Sequence, residues 1–310
     1  MSLSFRVALV GMIAFCDLSG CAADPSPERA VLPEPSKQSE SQTPSPHLTG
    51  DVLLAAGDIA DCKSPGASLT ATLLDHLSGP ILAVGDLAYP DGSDQDFAQC
   101  YHKAWGRHKN RIYPVPGNHE YRTHNAAGYF NYFGERAHPP DGYYSFNLGS
   151  WHIIALNSNI DISKGSPQEL WLRADLAANK NVCKLAFLHH PVVSSGWHGA
   201  TPTLQAVRQD FSHARVSVVI SGHDHHYERF APLEPDNTMS YRHGTRFFVV
   251  GTGGAERYPT LFSTTGSEAA SSGRWGVLKL TLRRAAYDWE WLPVEPADFK
   301  DSGTGTCATD

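Results

Sequence analysis

From Asp51 onward, short apolar runs alternate with stretches of helical spacing, and each run closes on turn-forming or polar residues. Val52-Leu53-Leu54-Ala55-Ala56 ends at Gly57-Asp58, Ser68 to Leu77 reads as a helix, and Ile81-Leu82-Ala83-Val84 ends at Gly85-Asp86. Runs that are apolar without alternation predict strands buried on both faces, and the strand–helix–strand order predicts a parallel βαβ unit. Asp94 to Trp105 predicts a second helix, and Ile112 to Pro116 leads into Gly117-Asn118-His119-Glu120. Asn125 to Phe133 predicts a short helix, and Tyr143–Leu148 with Trp151–Asn157 a hairpin around Gly149-Ser150. Pro167 sits where a helix over Gln168–Ala178 would begin. Leu185 to Leu188 ends in His189-His190-Pro191, and Val216-Ser217-Val218-Val219-Ile220 ends in Ser221-Gly222-His223-Asp224-His225-His226-Tyr227-Glu228-Arg229. Arg246–Gly251, Trp275–Leu282 and Tyr287–Val294 predict hairpin-like β-structure with Gly-rich loops. The pattern holds no internal repeat, and one α/β domain over residues 51–310 with mixed sheets is expected.

The first fifty residues have a different texture. Arg6 precedes an apolar stretch of ten residues, Val7 to Cys16, too short to span a bilayer, and Leu18-Ser19-Gly20-Cys21 follows. Those four residues resemble a bacterial lipobox, so residues 1–20 are expected to be a lipoprotein-type signal peptide and Cys21 the lipidated first residue. Ala22, in place of Asp, implies an exported, cell-envelope protein anchored at the outer membrane or periplasmic face. Asp24 to Gly50 carries six prolines and five serines, so residues 21–50 read as a Pro/Ser-rich tether. Export also places the remaining cysteines, Cys62, Cys100, Cys183 and Cys307, in an oxidising compartment. Four cysteines allow three pairings. Cys62 and Cys100 each follow a predicted strand end on one sheet edge, which favours Cys62–Cys100 and leaves Cys183–Cys307 to tie down the tail.

A net charge of −7 argues against a nucleic-acid surface, and 16 histidines are many for 310 residues. The histidines cluster with Gly, Asp and Asn. Five predicted strand ends carry ligand-type residues, Asp58, Asp86, Asn118, His189 and the pair His223/His225. In open α/β sheets the ligand crevice lies beyond the carboxyl ends of the strands. One Gly-Asp is an ordinary turn. Five such ends together point to a metal site.

This pattern resembles the calcineurin-like metallophosphoesterases, and the resemblance extends over nearly the whole domain. It implies a β-sandwich of two mixed sheets flanked by helices. Most members carry a histidine two residues after the first aspartate, where this chain has Ala60. Tyr89, three residues after Asp86, resembles the purple acid phosphatase branch instead, as do residues 222–229 and the tail Asp301-Ser302-Gly303-Thr304-Gly305-Thr306-Cys307. The resemblance implies that Asp58, Asp86, Tyr89 and His225 hold a first metal, Fe(III). Asp86, Asn118, His189 and His223 would hold a second, Fe(II), Zn(II) or Mn(II), with Asp86 bridging. A phenolate is a hard anionic donor that suits Fe(III), and two ions about 3.5–4 Å apart clamp an in-line phosphoryl displacement. His119 and His198 are implied to bind the phosphate together with Asn118, and to serve catalysis as acid–base groups. His190 and His226 are expected outside the ligand set, and Tyr121 and His124 are candidates to line the pocket.

The activity implied is hydrolysis of phosphomonoesters, small-molecule phosphate esters, by a metal-activated hydroxide. Substrate choice is expected in the loops Asn125–Pro140 and Ser195–Pro202. The alternatives are a phosphodiesterase or nucleotidase on the same centre, and a non-catalytic metal-binding surface lipoprotein. Plant-type members carry a separate N-terminal β-domain, and this chain is expected to follow the short forms. Membrane association is expected through the lipid anchor only.

Overall fold

A computed structural model describes residues 50–260 and 264–309; the leader, Cys21 and nearly all of the tether lie outside the described residues. Among the described residues, thirteen strands form two sheets. The first has the order β13 (Ser302–Thr306), β12 (Ala286–Pro293), β11 (Gly276–Leu282), β1 (Asp51–Ala56), β2 (Ile81–Val84), β3 (Ile112–Val115). The second runs β10 (Ser267–Ser271), β8 (Tyr227–Phe230), β9 (Arg246–Val250), β7 (Val218–Ser221), β6 (Cys183–Phe187), β5 (Trp151–Ala155), β4 (Tyr144–Leu148). Strands β1, β2 and β3 are parallel, as are β5, β6, β7 and β9, so both sheets are mixed.

The continuous apolar runs are explained by a four-layer arrangement. Leu53 and Ala55 of β1, Leu82 and Val84 of β2, Val218 and Ile220 of β7 and Phe248 of β9 share one core between the sheets. Their neighbours Leu54, Ala56, Ile81 and Ala83 face outward onto α1 (Gly66–Asp75), the helical stretch 94–104 and α4 (Ala127–Phe133). On the far side, Ala186, Val219 and Val249 meet α5 (Pro167–Ala178) and α6 (Gln205–His213). Period-two side-chain direction thus splits each run between two apolar layers, and neither parity can be polar. Ser166 caps α5 by accepting the Glu169 N–H at 3.2 Å, with Pro167 at the first helical position as expected.

Several expectations change. The stretch Asp94–Trp105 is helical over α2 (Asp94–Asp96) and α3 (His102–Ala104), with one wider π turn, Phe97–Tyr101, between them. The helix expected from Asn125 starts at Ala127, because Asn125 and Ala126 take left-handed φ of 50° and 53°. Only β11 and β12 form the C-terminal hairpin; β9 lies in the other sheet, parallel to β7 and antiparallel to β8. Both disulfides, Cys62–Cys100 and Cys183–Cys307, match the favoured pairing, with Cα separations of 5.0 and 5.3 Å. Cys100 lies in the π turn, not at a strand end, so the bridge clips a helix to the loop after β1. Among the described residues no helix is long and apolar enough to cross a membrane.

Candidate metal centre

The parallel strands deliver their carboxyl ends to one side of the sandwich. Loops after β1, β2 and β3 come from the first sheet, and loops after β6 and β7 from the second. Backbone bonds stitch these loops together: Asp58 N–H to Gly85 O at 3.0 Å, Ile59 N–H to Asp86 O at 2.9 Å, and Gly222 N–H to His189 O at 2.9 Å. Asp58, Asp86 and His223 occupy left-handed φ of 58°, 49° and 70°. That region costs a side-chain-bearing residue free energy, and Asp tolerates it better than most. Three ligand-type residues held there turn their side chains off the strand direction and into one space. The approach is close: a Cβ on Gly117 would lie 2.1 Å from Asp86 Oδ1, which requires glycine at this position.

The expected ligands converge. Tyr89 Oη lies 3.2 Å from Asp58 Oδ1, 3.3 Å from Asp86 Oδ2 and 3.1 Å from His225 Nε2. His225 Nε2 is 3.2 Å from Asp58 Oδ1. On the other side of Asp86 Oδ2, His189 Nε2 lies at 3.3 Å, with Asn118 Oδ1 and His223 Nδ1 at 3.1 and 3.2 Å from that nitrogen. Asp86 therefore stands between two half-sites. Ligand atoms of Asp86, His189 and His223 all lie within 4.8 Å of one another.

The donor set fits cations. His189 Nδ1 donates to Val84 O at 3.0 Å and His225 Nδ1 to Glu256 O, so both neutral rings turn Nε2 lone pairs inward. Lone pairs of nitrogen, carboxylate and amide oxygen then face one another, a repulsive arrangement unless a positive charge lies among them. A proton can supply that charge: burial opposes the His189 imidazolium, but the Asp86 carboxylate overrides it and carries the pKa up to about 9. Burial, reinforced by the charge on His189, pushes His223 down to about 2. Burial, then the Asp86 and Asp58 carboxylates, hold the Tyr89 phenol well above its ordinary value. A metal ion inverts that logic and favours the phenolate. Ala60 supplies no ligand; its carbonyl accepts the Tyr89 N–H at 2.9 Å and so holds the tyrosine backbone in place.

The flanking histidines divide. The His119 ring lies 4.3 Å from the Tyr89 ring, with Nδ1 on Pro90 O at 2.5 Å and Nε2 3.8 Å from Asp86 Oδ2. The His198 ring lies 4.2 Å from that of His223. His190 is hydrogen-bonded to Ser158 Oγ at 2.8 Å, its ring 4.5 Å from His223, and burial together with His189 pushes it down to about 3. His226 turns away to Glu228 Oε2 at 3.1 Å. Tyr121 accepts from Asn157 Nδ2 at 2.7 Å and His124 is exposed beside Asn125, so neither joins the ligand cluster.

Three carboxylates brace the site and were not singled out as candidates in the sequence. Buried Glu120 accepts the N–H groups of Leu87, Ala88 and Gly117 at 2.9, 3.1 and 2.7 Å, tying the second loop to the third. Burial and then Asp86 push its carboxyl up to about 7. Asp224 accepts from His198 N–H at 2.8 Å, Gly199 N–H at 3.2 Å and Ser194 Oγ, and Glu228 accepts from Ser195 N–H at 2.8 Å. The His198 loop is thereby fixed to the same segment that carries His223 and His225. Tyr258, also unforeseen, stacks on His225 at 4.1 Å and 11°. Only the spacing Gly117-Asn118-His119-Glu120 and the central Asp224 of the histidine run could have flagged the first two.

The two-sheet sandwich gathers candidate metal donors at its strand ends. Residues 37–227 match the calcineurin-like phosphoesterase family, more than half of the chain, and the chain belongs to that family. Its relatives include purple acid phosphatase 23 of Arabidopsis thaliana, 26% identical over 205 residues that cover 52% of this chain and 45% of that protein. The chain spans about half the length of the curated relatives it matches. The fold matches yellow lupin purple acid phosphatase PPD1 with a TM-score of 0.66 at 20% identity, covering 83% of this chain and 54% of that one. It also matches GAP50, described as the anchor in the inner membrane complex of Plasmodium, at 0.66 and 15% identity, covering 84% and 90%.

Proposed function

We propose that this protein is an exported, lipid-anchored metal-dependent phosphatase that hydrolyses phosphomonoesters at a dinuclear Fe(III)–M(II) centre, M being iron, zinc or manganese. The observation that carries the reading is Asp86 Oδ2, placed between the tyrosine–aspartate–histidine half-site and the asparagine–histidine half-site. Asp58, Asp86, Tyr89 and His225 would hold the first ion, and Asp86, Asn118, His189 and His223 the second. When bound, the two ions supply Lewis acidity toward phosphoryl oxygens and lower the pKa of water at the site.

The chain's own residues supply the rest. His119 donates from Nδ1 to Pro90 O and accepts from Arg122 Nη2 at Nε2, 3.3 Å away, which holds the ring on the Asp86 side, where it would help position a phosphoryl oxygen. His198, held by its own backbone N–H on Asp224, gives a proton to the departing ester oxygen, which leaves as an alcohol. Asp58 Oδ2 accepts the His223 N–H at 2.9 Å and keeps the two half-sites in register. Cys21 would carry the lipid and residues 21–50 would hold the catalytic domain off the membrane.

The test compares turnover of chromogenic phosphate mono- and diesters by the purified domain with iron loaded. Preference for the monoester is expected. Preference for the diester would replace the proposal with a phosphodiesterase on the same centre, and failure to hydrolyse either with both metals bound would leave a non-catalytic metal-binding lipoprotein.

A further inference from the structure

We propose that the end of the domain opposite the metal centre is a basic face that lies on anionic membrane headgroups. The lipid anchor would then be joined by a second, electrostatic contact, and the centre would open away from the bilayer. The choice of partner rests on the exported, anchored reading above; the face itself is a feature of the fold.

The parallel strands end at the candidate ligands and begin at the opposite end. Arg111 directly precedes β3, and its guanidinium donates to Leu77 O at 2.6 Å and Gly79 O at 3.1 Å, just before β2. Arg136 Nη2 donates to Asn110 O at 2.8 Å, and Lys109 lies over the Tyr132 ring at 4.3 Å. Strand β11 runs antiparallel to β1 with Leu282 opposite Asp51, so the turn that carries Arg284 belongs to the same end. Trp151 Nε1 donates to Arg283 O at 2.7 Å and Cys183 Sγ lies 3.4 Å from Arg284 O, which brings the starts of β5 and β6 there too. Lys180 is exposed just before β6.

The charges at the starts of these five strands do not cancel. Asp75 and Asp288 are taken up by Arg107 and Arg283, and Asp175 by His152. Among the described residues there, that leaves the exposed acids Asp51 and Glu135 against Lys109, Arg111, Arg136, Lys180 and Arg284. In a chain of net charge −7 this is a local reversal of sign. The cations are also spread out: β3 and β11 stand three strand spacings apart, about 14 Å. A small anion could not touch both, whereas a headgroup surface attracts every Lys and Arg within a Debye length of it. The chain enters the domain on this face. A Cβ on Gly50, the first described residue, would lie 2.5 Å from Leu282 O, and one on Gly79 would lie 2.5 Å from Val52 O. Residues 21–49 therefore join the domain beside the cations, and the candidate ligands lie at the far ends of the same strands.

The experiment sediments the unlipidated Cys21→Ser chain with vesicles of phosphatidylcholine alone and of phosphatidylcholine mixed with phosphatidylglycerol, at rising salt. Binding to the mixed vesicles is expected, weakening as salt screens it, with little binding to phosphatidylcholine. Lys180→Gln and Arg284→Gln remove exposed side chains and leave the fold intact; each should weaken binding to the mixed vesicles about five-fold. Glu135→Gln should strengthen it by a similar factor. Lys63→Gln, an exposed cation in the loop after β1, controls for net charge and should change it little. Hydrogen exchange in the bound chain should slow at residues 109–111 and 283–285 and not at residues 194–199. Equal binding to both vesicle types, an equal loss in Lys63→Gln, or protection at residues 194–199 would overturn the proposal. Tighter binding to duplex DNA than to the mixed vesicles at equal salt would make this a nucleic-acid surface and overturn it as well. The test chain carries no lipid, so failure of the anchor reading leaves these outcomes unchanged.

Discussion

Replacing Asp224 by asparagine tests whether the His198 loop is positioned by one buried carboxylate. Oδ1 accepts the His198 N–H at 2.8 Å, while Oδ2 accepts the Gly199 N–H at 3.2 Å and the Ser194 hydroxyl. Asparagine keeps one oxygen and turns the other into an N–H donor. With the amide oxygen at the Oδ2 position, the His198 N–H faces a donor; flipped, the Gly199 N–H does. Either orientation orphans one backbone donor, which costs about 1–3 kcal/mol when buried, and the remaining bonds lose charge assistance of about 1 kcal/mol. No relaxation toward Gly196 is available, since a Cβ there would already lie 2.3 Å from Asp224 Cγ. The expected destabilisation is about 2–4 kcal/mol, read as a fall in the denaturant midpoint at unchanged slope. In activity, His198→Ala should lower kcat/KM about 10²-fold, the low end of general-acid contributions, and Asp224→Asn about 10-fold or more by misplacing the same ring. Because both changes act through one imidazole, the double variant should be no slower than His198→Ala alone. Metal content per chain, measured by atomic absorption, should survive in all three. Additive losses in the double variant, or loss of metal from Asp224→Asn, would refute the positioning argument.

Three further outcomes are expected. Iron-loaded protein should show a visible tyrosinate-to-Fe(III) charge-transfer band that Tyr89→Phe abolishes; a colourless protein holding two zinc or manganese ions and no iron would remove the Fe(III) assignment and leave the phosphoesterase reading intact. Cys21→Ser should move the protein from the membrane fraction to the soluble one, and membrane retention of an unprocessed chain in both forms would sink the lipobox. Replacing Cys183 and Cys307 together by alanine releases a closure over 124 residues of sequence separation and should cost about 4–5 kcal/mol by the chain-entropy argument, measured by denaturant unfolding; a loss below about 1 kcal/mol would show that the ladder of β12 with β13 holds the tail unaided.

The apolar runs of β1, β2, β6 and β7 were legible because strands buried on both faces tolerate few polar residues at either parity. Asp58, Asp86, Asn118, His189, His223 and His225 were legible for a related reason: ligand-type residues recurred at the ends of those same runs. Other elements left weaker local marks. Strand β13 reads Ser302-Gly303-Thr304-Gly305-Thr306, a polar stretch that becomes a strand through its ladder with β12, where Thr304 Oγ1 also bonds Asp288. Strand β9 looked like part of a C-terminal hairpin, since apolar composition states that a strand is buried but not which sheet receives it. Asp224, Glu228 and Glu120 read locally as polar turn residues. Apart from the Gly117 N–H on Glu120, the backbone N–H groups they bind lie 25 to 33 positions away in the chain and are brought to them by the pairing of neighbouring parallel strands within one sheet, β2 with β3 and β6 with β7. Tyr258 over His225 is the same case. A hydrophobic pattern reports solvent exposure one residue at a time, whereas a brace is a relation between distant segments and exists only once their strands have paired.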